Sequence, residues 1–167
     1  MSEGQKYDSS YMKEIVDTLV GRCLGFLADQ GFVRRDQVEH NWYTRCDMDE
    51  RLANSGFVAG ASIDNVGRPV MAYASNLSVQ AIIYAIFHES VHLAQICKQD
   101  YVPGKGVSIW KGIEKKNLPH DDPNYFSLDY QPWEHEACEW AERLQTALYK
   151  QYPEIEKPMR TGAGLKS

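Results

Sequence analysis

Apolar residues recur at helical spacing in three long stretches of the chain, and this pattern sets the predicted architecture. The first stretch covers about residues 10–30, where Gly31 follows as a left-handed cap. The second covers about residues 79–98, with apolar positions on most of the helix circumference, which is typical of a central buried helix. The third runs from Pro132 or Trp133 to about Tyr149, because proline is tolerated in a first helical turn.

Shorter patterns between these helices predict strands. Residues 57–75 favour two short strands around an Asp64-Asn65 turn, and Asn76 or Ser78 is placed to cap the following helix.

Residues 34–55 are polar and are interpreted as a connecting segment with one short helix. Residues 107–110 have strand character, and Trp110-Lys111-Gly112 is expected to form part of a strand or hairpin that shapes a cleft. From Pro153 onward we expect a frayed tail.

Composition and charge narrow the classes of protein. A chain of 167 residues with 43% hydrophobic and 25% charged residues fits one soluble globular domain, 1–167. A net charge of −5 argues against a dedicated nucleic-acid binder. The sequence offers neither a membrane-spanning run nor a signal-peptide core, so a cytoplasmic location (virion or host cytoplasm, if phage-encoded) and no membrane partner are expected. The four cysteines lack Cys-x-x-Cys spacing and are interpreted as free thiols.

The predicted central helix carries the motif His88-Glu89-Ser90-Val91-His92. Two histidines at i and i+4 project from one face, so that both imidazoles can reach one cation. Glu89 lies beside them and can take a proton from a water on that cation. An apolar helix is a costly place for these groups unless a metal or polar partners compensate them. The sequence therefore predicts a metal site.

This HExxH arrangement resembles the zincin metallopeptidases. A third histidine of the metzincin type is absent, because Gln95 and Lys98 stand where that motif has glycine and histidine. The resemblance then points to the gluzincin-like families, in which a carboxylate on another helix is the third zinc ligand. The segment 132–141 resembles their Glu-x-x-Ala ligand helix.

Two glutamates in that segment compete for the role of third ligand. At about 100° per residue, Glu134 and Glu136 diverge by about 200° and cannot serve one metal together. Glu134 falls within the apolar stripe that Ala137 and Ala141 help to define, so we favour Glu134 and keep Glu136 as the alternative.

The resemblance implies an α+β, zincin-like fold with a small sheet on the HExxH helix, covering about residues 57–148. It implies that Val70 to Ala74 form an edge strand able to bind an extended peptide. It also implies one Zn²⁺ per chain held by His88, His92 and Glu134, with Glu89 as the base that activates the zinc-bound water for peptide hydrolysis.

Weaker candidates surround this set. Tyr130 lies one turn before Glu134 and is a candidate hydrogen-bond donor to an oxyanion. Gln95 is a candidate support for the site or a substrate contact, and Asp100 or Asp129 are candidates to orient a ligating imidazole.

The expected function is a zinc peptidase with a peptide or protein substrate. Two alternatives stay open: a catalytically idle zincin-like binding domain, and an SprT-like protease acting on DNA-bound protein. The intact Glu89 argues against the first. The negative charge and the lack of a Cys-x-x-Cys zinc ribbon argue against the second.

Overall fold

The structure, a computed structural model, describes residues 9–47, 58–74 and 79–153. Within these ranges the chain forms four helices and two small sheets, an α+β arrangement. The helices are α1 (Ser9–Asp29), α2 (Arg35–Val38), α3 (Val79–Cys97) and α4 (Pro132–Gln151). The first sheet contains β1 (Tyr43–Asp47), β2 (Ala59–Ile63) and β3 (Pro69–Ala74), and the second contains β4 (Tyr101–Val102), β5 (Val107–Trp110) and β6 (Ile113–Lys116).

Helix α3 is the central element of the fold. It contacts α1, α4, β2 and β3. Its buried apolar side chains are those of Ile82, Ile83, Ile86, Phe87, Val91, Leu93, Ala94 and Ile96. Helix α4 brings its buried stripe to the same core through Ala137, Leu144 and Leu148. A helix that is apolar on most sides needs this covering by several neighbours, as its sequence pattern predicted.

The first sheet has the strand order β1-β3-β2, so β3 is its central strand. The expectation that Val70 to Ala74 form an edge strand is therefore wrong. Strand β1 pairs with β3 in parallel, from Tyr43↔Val70 to Asp47↔Ala74, and closes the side that we expected to be open. The edge next to α3 is instead β2, which pairs antiparallel to β3.

Strand β1 comes from the polar segment that was interpreted as a connection with one short helix. The short helix is present as α2, but the strand was missed. Its five residues, Tyr-Thr-Arg-Cys-Asp, alternate too weakly to predict a strand by periodicity.

The other predicted elements are confirmed within one or two residues at most boundaries. Helix α1 ends as expected, with Gly31 in the left-handed region at φ 77°. Strands β2 and β3 flank the predicted turn, where Asp64 Oδ1 accepts the backbone N–H groups of Val66 and Arg68. Lys111 and Gly112 form the tight β5–β6 turn, both with positive φ.

A residue of the second sheet contacts the N-terminal end of α4. Tyr101 of β4 stacks on Trp133 of α4, with ring centroids 5.3 Å apart and an interplanar angle of 12°. This contact fixes the start of α4, and with it Glu134, relative to the end of α3.

All four cysteines are free thiols, as expected. None of the helices in the described ranges is long and apolar enough to cross a membrane. The proposed caps Asn76 and Ser78 and nearly all of the predicted tail lie outside the described residues.

Candidate metal centre

Three side chains from two helices converge at the contact between α3 and α4. His88 Nε2 lies 3.0 Å from Glu134 Oε1, and His92 Nε2 lies 3.2 Å from the same oxygen. The two imidazole Nε2 atoms are 3.1 Å apart. Within the described residues, one group of three or more His, Cys, Asp or Glu side chains lies close enough together to share one metal ion. It consists of His88, His92 and Glu134, whose ligand atoms all lie within 4.8 Å of one another.

The helices explain this convergence. His88 and His92 occupy one face of α3 a single turn apart. Glu134 lies in the first turn of α4, where a carboxylate is favoured by the helix dipole, and it is buried. Glu136 points elsewhere: its Oε1 accepts a hydrogen bond from Gln95 Nε2 at 3.0 Å. The structure therefore brings Glu134, and not Glu136, to the histidines.

The electrostatics of the group follow from burial and mutual charge. Burial opposes ionisation of Glu134, but hydrogen bonds from the two histidines outweigh it and lower its pKa to about 2. Burial likewise opposes protonation of His92, but the hydrogen bond and charge of Glu134 raise its pKa to about 9. Without a metal, the cluster is thus held together as an ion pair.

The donor set and its spacing fit a catalytic zinc site. Two imidazole nitrogens and one carboxylate oxygen are a common ligand set for catalytic zinc, which leaves one position open. Bonds of about 2.0–2.1 Å in a tetrahedron place ligand atoms roughly 3.3 Å apart. The three separations of 3.0, 3.1 and 3.2 Å are close to that value, so small side-chain shifts would accommodate the ion.

Glu89 lies between this cluster and the open edge of β2. Its Oε1 accepts the backbone N–H of Ala61 at 3.1 Å. Burial raises the pKa of Glu89, and the positive charges of His92 and His88 partly oppose that rise. The carboxylate therefore has a higher proton affinity than an exposed glutamate, as suits a group that accepts and returns a proton.

No strand in the described part of the chain pairs with the outer edge of β2 at Ala61. Val58 and Asp64, at the two ends of this antiparallel pair, hydrogen-bond with β3. Because such bonds alternate along the strand, Gly60 and Ser62 face β3 and Ala61 faces away from it. The N–H of Ala61 thus lies on the outer edge of β2, where it donates to Glu89, so a chain that joined this edge at Ala61 would have to replace that hydrogen bond.

An open cavity of about 790 Å³ adjoins the exposed side of His88. Phe87, Ala141 and Tyr149 supply apolar surface, and Glu142 and Lys150 lie at its polar rim. His88 retains 26% side-chain exposure, whereas His92 has 6%, so the cluster opens toward this cavity.

The imidazole of His92 is supported by Gln95, one of the weaker candidates. Gln95 Oε1 lies 2.8 Å from His92 Nδ1. The expectation that Asp100 or Asp129 orients an imidazole is not met for His92: Asp100 pairs with Lys98, and His92 Nδ1 is hydrogen-bonded to the Gln95 amide.

Tyr125 is a site residue that the sequence analysis missed. Its hydroxyl donates to Glu134 Oε2 at 3.4 Å, whereas the expected candidate Tyr130 is 53% exposed. Burial and the charge of Glu134 raise the pKa of Tyr125, so the hydroxyl stays protonated near neutral pH. Tyr125 sits in an irregular loop, where the side chain of Gln131 binds the Tyr125 carbonyl, and no periodic pattern predicts that placement.

Comparison with known proteins supplies no family assignment. No family model matches the chain, and neither a curated protein nor a solved structure matches it.

Proposed function

We propose that this chain is a zinc-dependent peptidase with a zincin-like architecture. The observation that carries the proposal is the convergence of His88, His92 and Glu134 next to Glu89. A zinc ion at such a site makes its bound water more acidic and polarises a substrate carbonyl.

The side chains around the cluster have complementary roles in this proposal. Glu89 accepts the proton of the attacking water and then delivers a proton to the leaving amine. Tyr125 offers a protonated hydroxyl beside Glu134, where it can donate to negative charge on the substrate.

A peptide substrate is supported by the shape of the surroundings. The open edge of β2 presents the backbone N–H of Ala61 next to the proposed base. An extended peptide that pairs with this edge would bring its carbonyl groups close to the cluster. The cavity beside His88 offers space for a substrate side chain.

The test is hydrolysis of an unstructured protein such as casein by the zinc-loaded chain. We expect fragments on gel electrophoresis, their loss after treatment with a chelator, and their return when zinc is restored. Cleavage of neither casein nor a broad peptide library by the zinc-bound chain would contradict the proposal and favour an idle binding domain. Cleavage only after addition of DNA would favour the SprT-like alternative.

A further inference from the structure

The side chain of Gln95 links α3 to α4 beside the candidate metal centre. It is fully buried and makes three polar contacts. Its Oε1 lies 2.8 Å from His92 Nδ1, and its Nε2 lies 3.1 Å from the carbonyl oxygen of Trp133 and 3.0 Å from Glu136 Oε1. Every polar atom of this amide therefore has a partner.

The chemistry of these partners fixes the direction of each hydrogen bond. The Trp133 carbonyl and an ionised Glu136 carboxylate can only accept, so the end of Gln95 that faces them must be its NH₂ group. The amide oxygen must then face His92, and since this oxygen only accepts, His92 Nδ1 must carry the hydrogen.

This assignment determines which nitrogen of His92 can bind a metal. With the hydrogen on Nδ1, the neutral ring has its lone pair on Nε2. Nε2 is the atom that faces Glu134 Oε1 at 3.2 Å and His88 Nε2 at 3.1 Å. The ring is also fixed in orientation, because Gln95 is itself anchored to α4 at two points.

We propose that Gln95 is a positioning residue, held by Glu136, that selects the metal-binding form of His92 and fixes its ring. The inference rests on the proposed zinc site and adds a requirement for the Gln95 amide and for a hydrogen-bond acceptor at position 136. Removing such an outer hydrogen-bond partner typically lowers metal affinity by about 10–100-fold.

The experiment compares zinc affinity by competition with a chelating dye in the parent, Gln95→Met and Ser90→Ala. Methionine fills a similar volume without a hydrogen bond to His92, so we expect roughly 10–100-fold weaker binding. Ser90 is also buried in α3, and its hydroxyl makes no hydrogen bond to His92, Gln95 or Glu134, so Ser90→Ala should bind zinc as the parent does. Thermal unfolding of the metal-free proteins checks that each variant folds.

A spectroscopic readout separates positioning from a general structural effect. In ¹⁵N-labelled parent protein, the Nδ1–H proton of His92 should give a downfield, slowly exchanging signal, and Gln95→Met should shift or lose it. The double variant Gln95→Glu/Glu136→Gln exchanges the carboxylate and the amide between the two positions. It keeps an acceptor for Nδ1–H and should recover much of the zinc affinity that Gln95→Met loses.

The possible failures are distinguishable. Absence of zinc binding in the parent would overturn the proposed function, and this inference with it. Normal zinc binding in the parent, with unchanged affinity and an unchanged Nδ1–H signal in Gln95→Met, would overturn the positioning role alone. If Gln95→Met does not fold, the double variant alone provides the test. The positioning role is then overturned if the double variant binds zinc no better than an unfolded chain.

Discussion

The carboxylate of Glu89 is hydrogen-bonded to the backbone of Ala61, with Oε1 and N 3.1 Å apart. This bond joins α3 to the outer edge of β2, and His88 and His92 lie next to Glu89 on the same helix. The proposed base and the proposed peptide-binding edge are therefore in direct contact.

Replacing Glu89 by Gln should separate catalysis from binding. The amide oxygen can still accept the N–H of Ala61, so fold and zinc content should be unchanged. Hydrolysis should fall by roughly 10²–10⁴-fold, the range that general acid–base catalysis supplies. The measurement pairs zinc content with the casein hydrolysis rate, and Glu139→Gln on the exposed surface of α4 is the control. Parental activity in Glu89→Gln would rule out this mechanism.

The two glutamates of α4 should respond differently to the same change. Glu134→Gln should weaken zinc binding strongly, because Glu134 is one of three proposed protein ligands. Glu136→Gln should bind zinc nearly as the parent does, because its amide oxygen can still accept from Gln95. Titration calorimetry of both variants checks the pair, and the reverse order of affinities would show that the ligand was misassigned.

The helices and the HExxH motif could be predicted because their information is local. A period of 3.6 residues and an i, i+4 histidine pair can be recognised in the sequence alone. The period predicts the bounds of the three long helices within one or two residues. The helical angles of α4 also distinguish Glu134 from Glu136, because only Glu134 lies on the buried face that Ala137 and its apolar neighbours define.

What the sequence did not reveal depends on contacts between distant segments. The central position of β3 is set by its parallel pairing with β1, which lies more than twenty residues upstream. Tyr125 reaches Glu134 through an irregular loop, and Tyr130 was preferred only because helical spacing extended backward from Glu134. Neither parallel pairing partners nor irregular loop paths have a periodic signature.

Tyr125 and Tyr130 form a matched pair for mutation. Tyr125→Phe removes the hydroxyl that lies beside Glu134, and we expect hydrolysis to fall by up to about 10²-fold, the lower range for losing a donor to an oxyanion. Tyr130→Phe should have no effect, because Tyr130 is 53% exposed. Rates on one substrate at matched zinc loading check both variants, and equal rates for the two would exclude Tyr125 from the reaction.

The stability of the metal-free protein should depend on pH through the ion pair. The pKa of His92 rises from 6.5 to about 9, so its contribution is complete below pH 6.5 and is lost as the pH rises through 9. The pKa of Glu134 falls from 4.5 to about 2, so its contribution is complete above pH 4.5 and is lost as the pH falls through 2. Both contributions coexist between about pH 4.5 and 6.5.

The chelator-treated protein should therefore show a falling melting temperature from pH 6.5 to 9, measured by circular dichroism. Zinc should reduce this fall, because the metal takes the place of the proton on His92. In His92→Ala the fall should be smaller than in the parent. A melting temperature that rises over this range, or an equal fall in His92→Ala, would show that the pair does not control alkaline stability.

The most direct test of the central claim is the zinc content of the purified protein, measured by native mass spectrometry. We expect one zinc per chain in the parent, and loss of most of that zinc in His88→Ala, His92→Ala and Glu134→Gln, because each removes one of three proposed ligands from a single site. A parent that neither contains zinc nor takes it up at neutral pH would contradict the account, as would full zinc retention in all three variants.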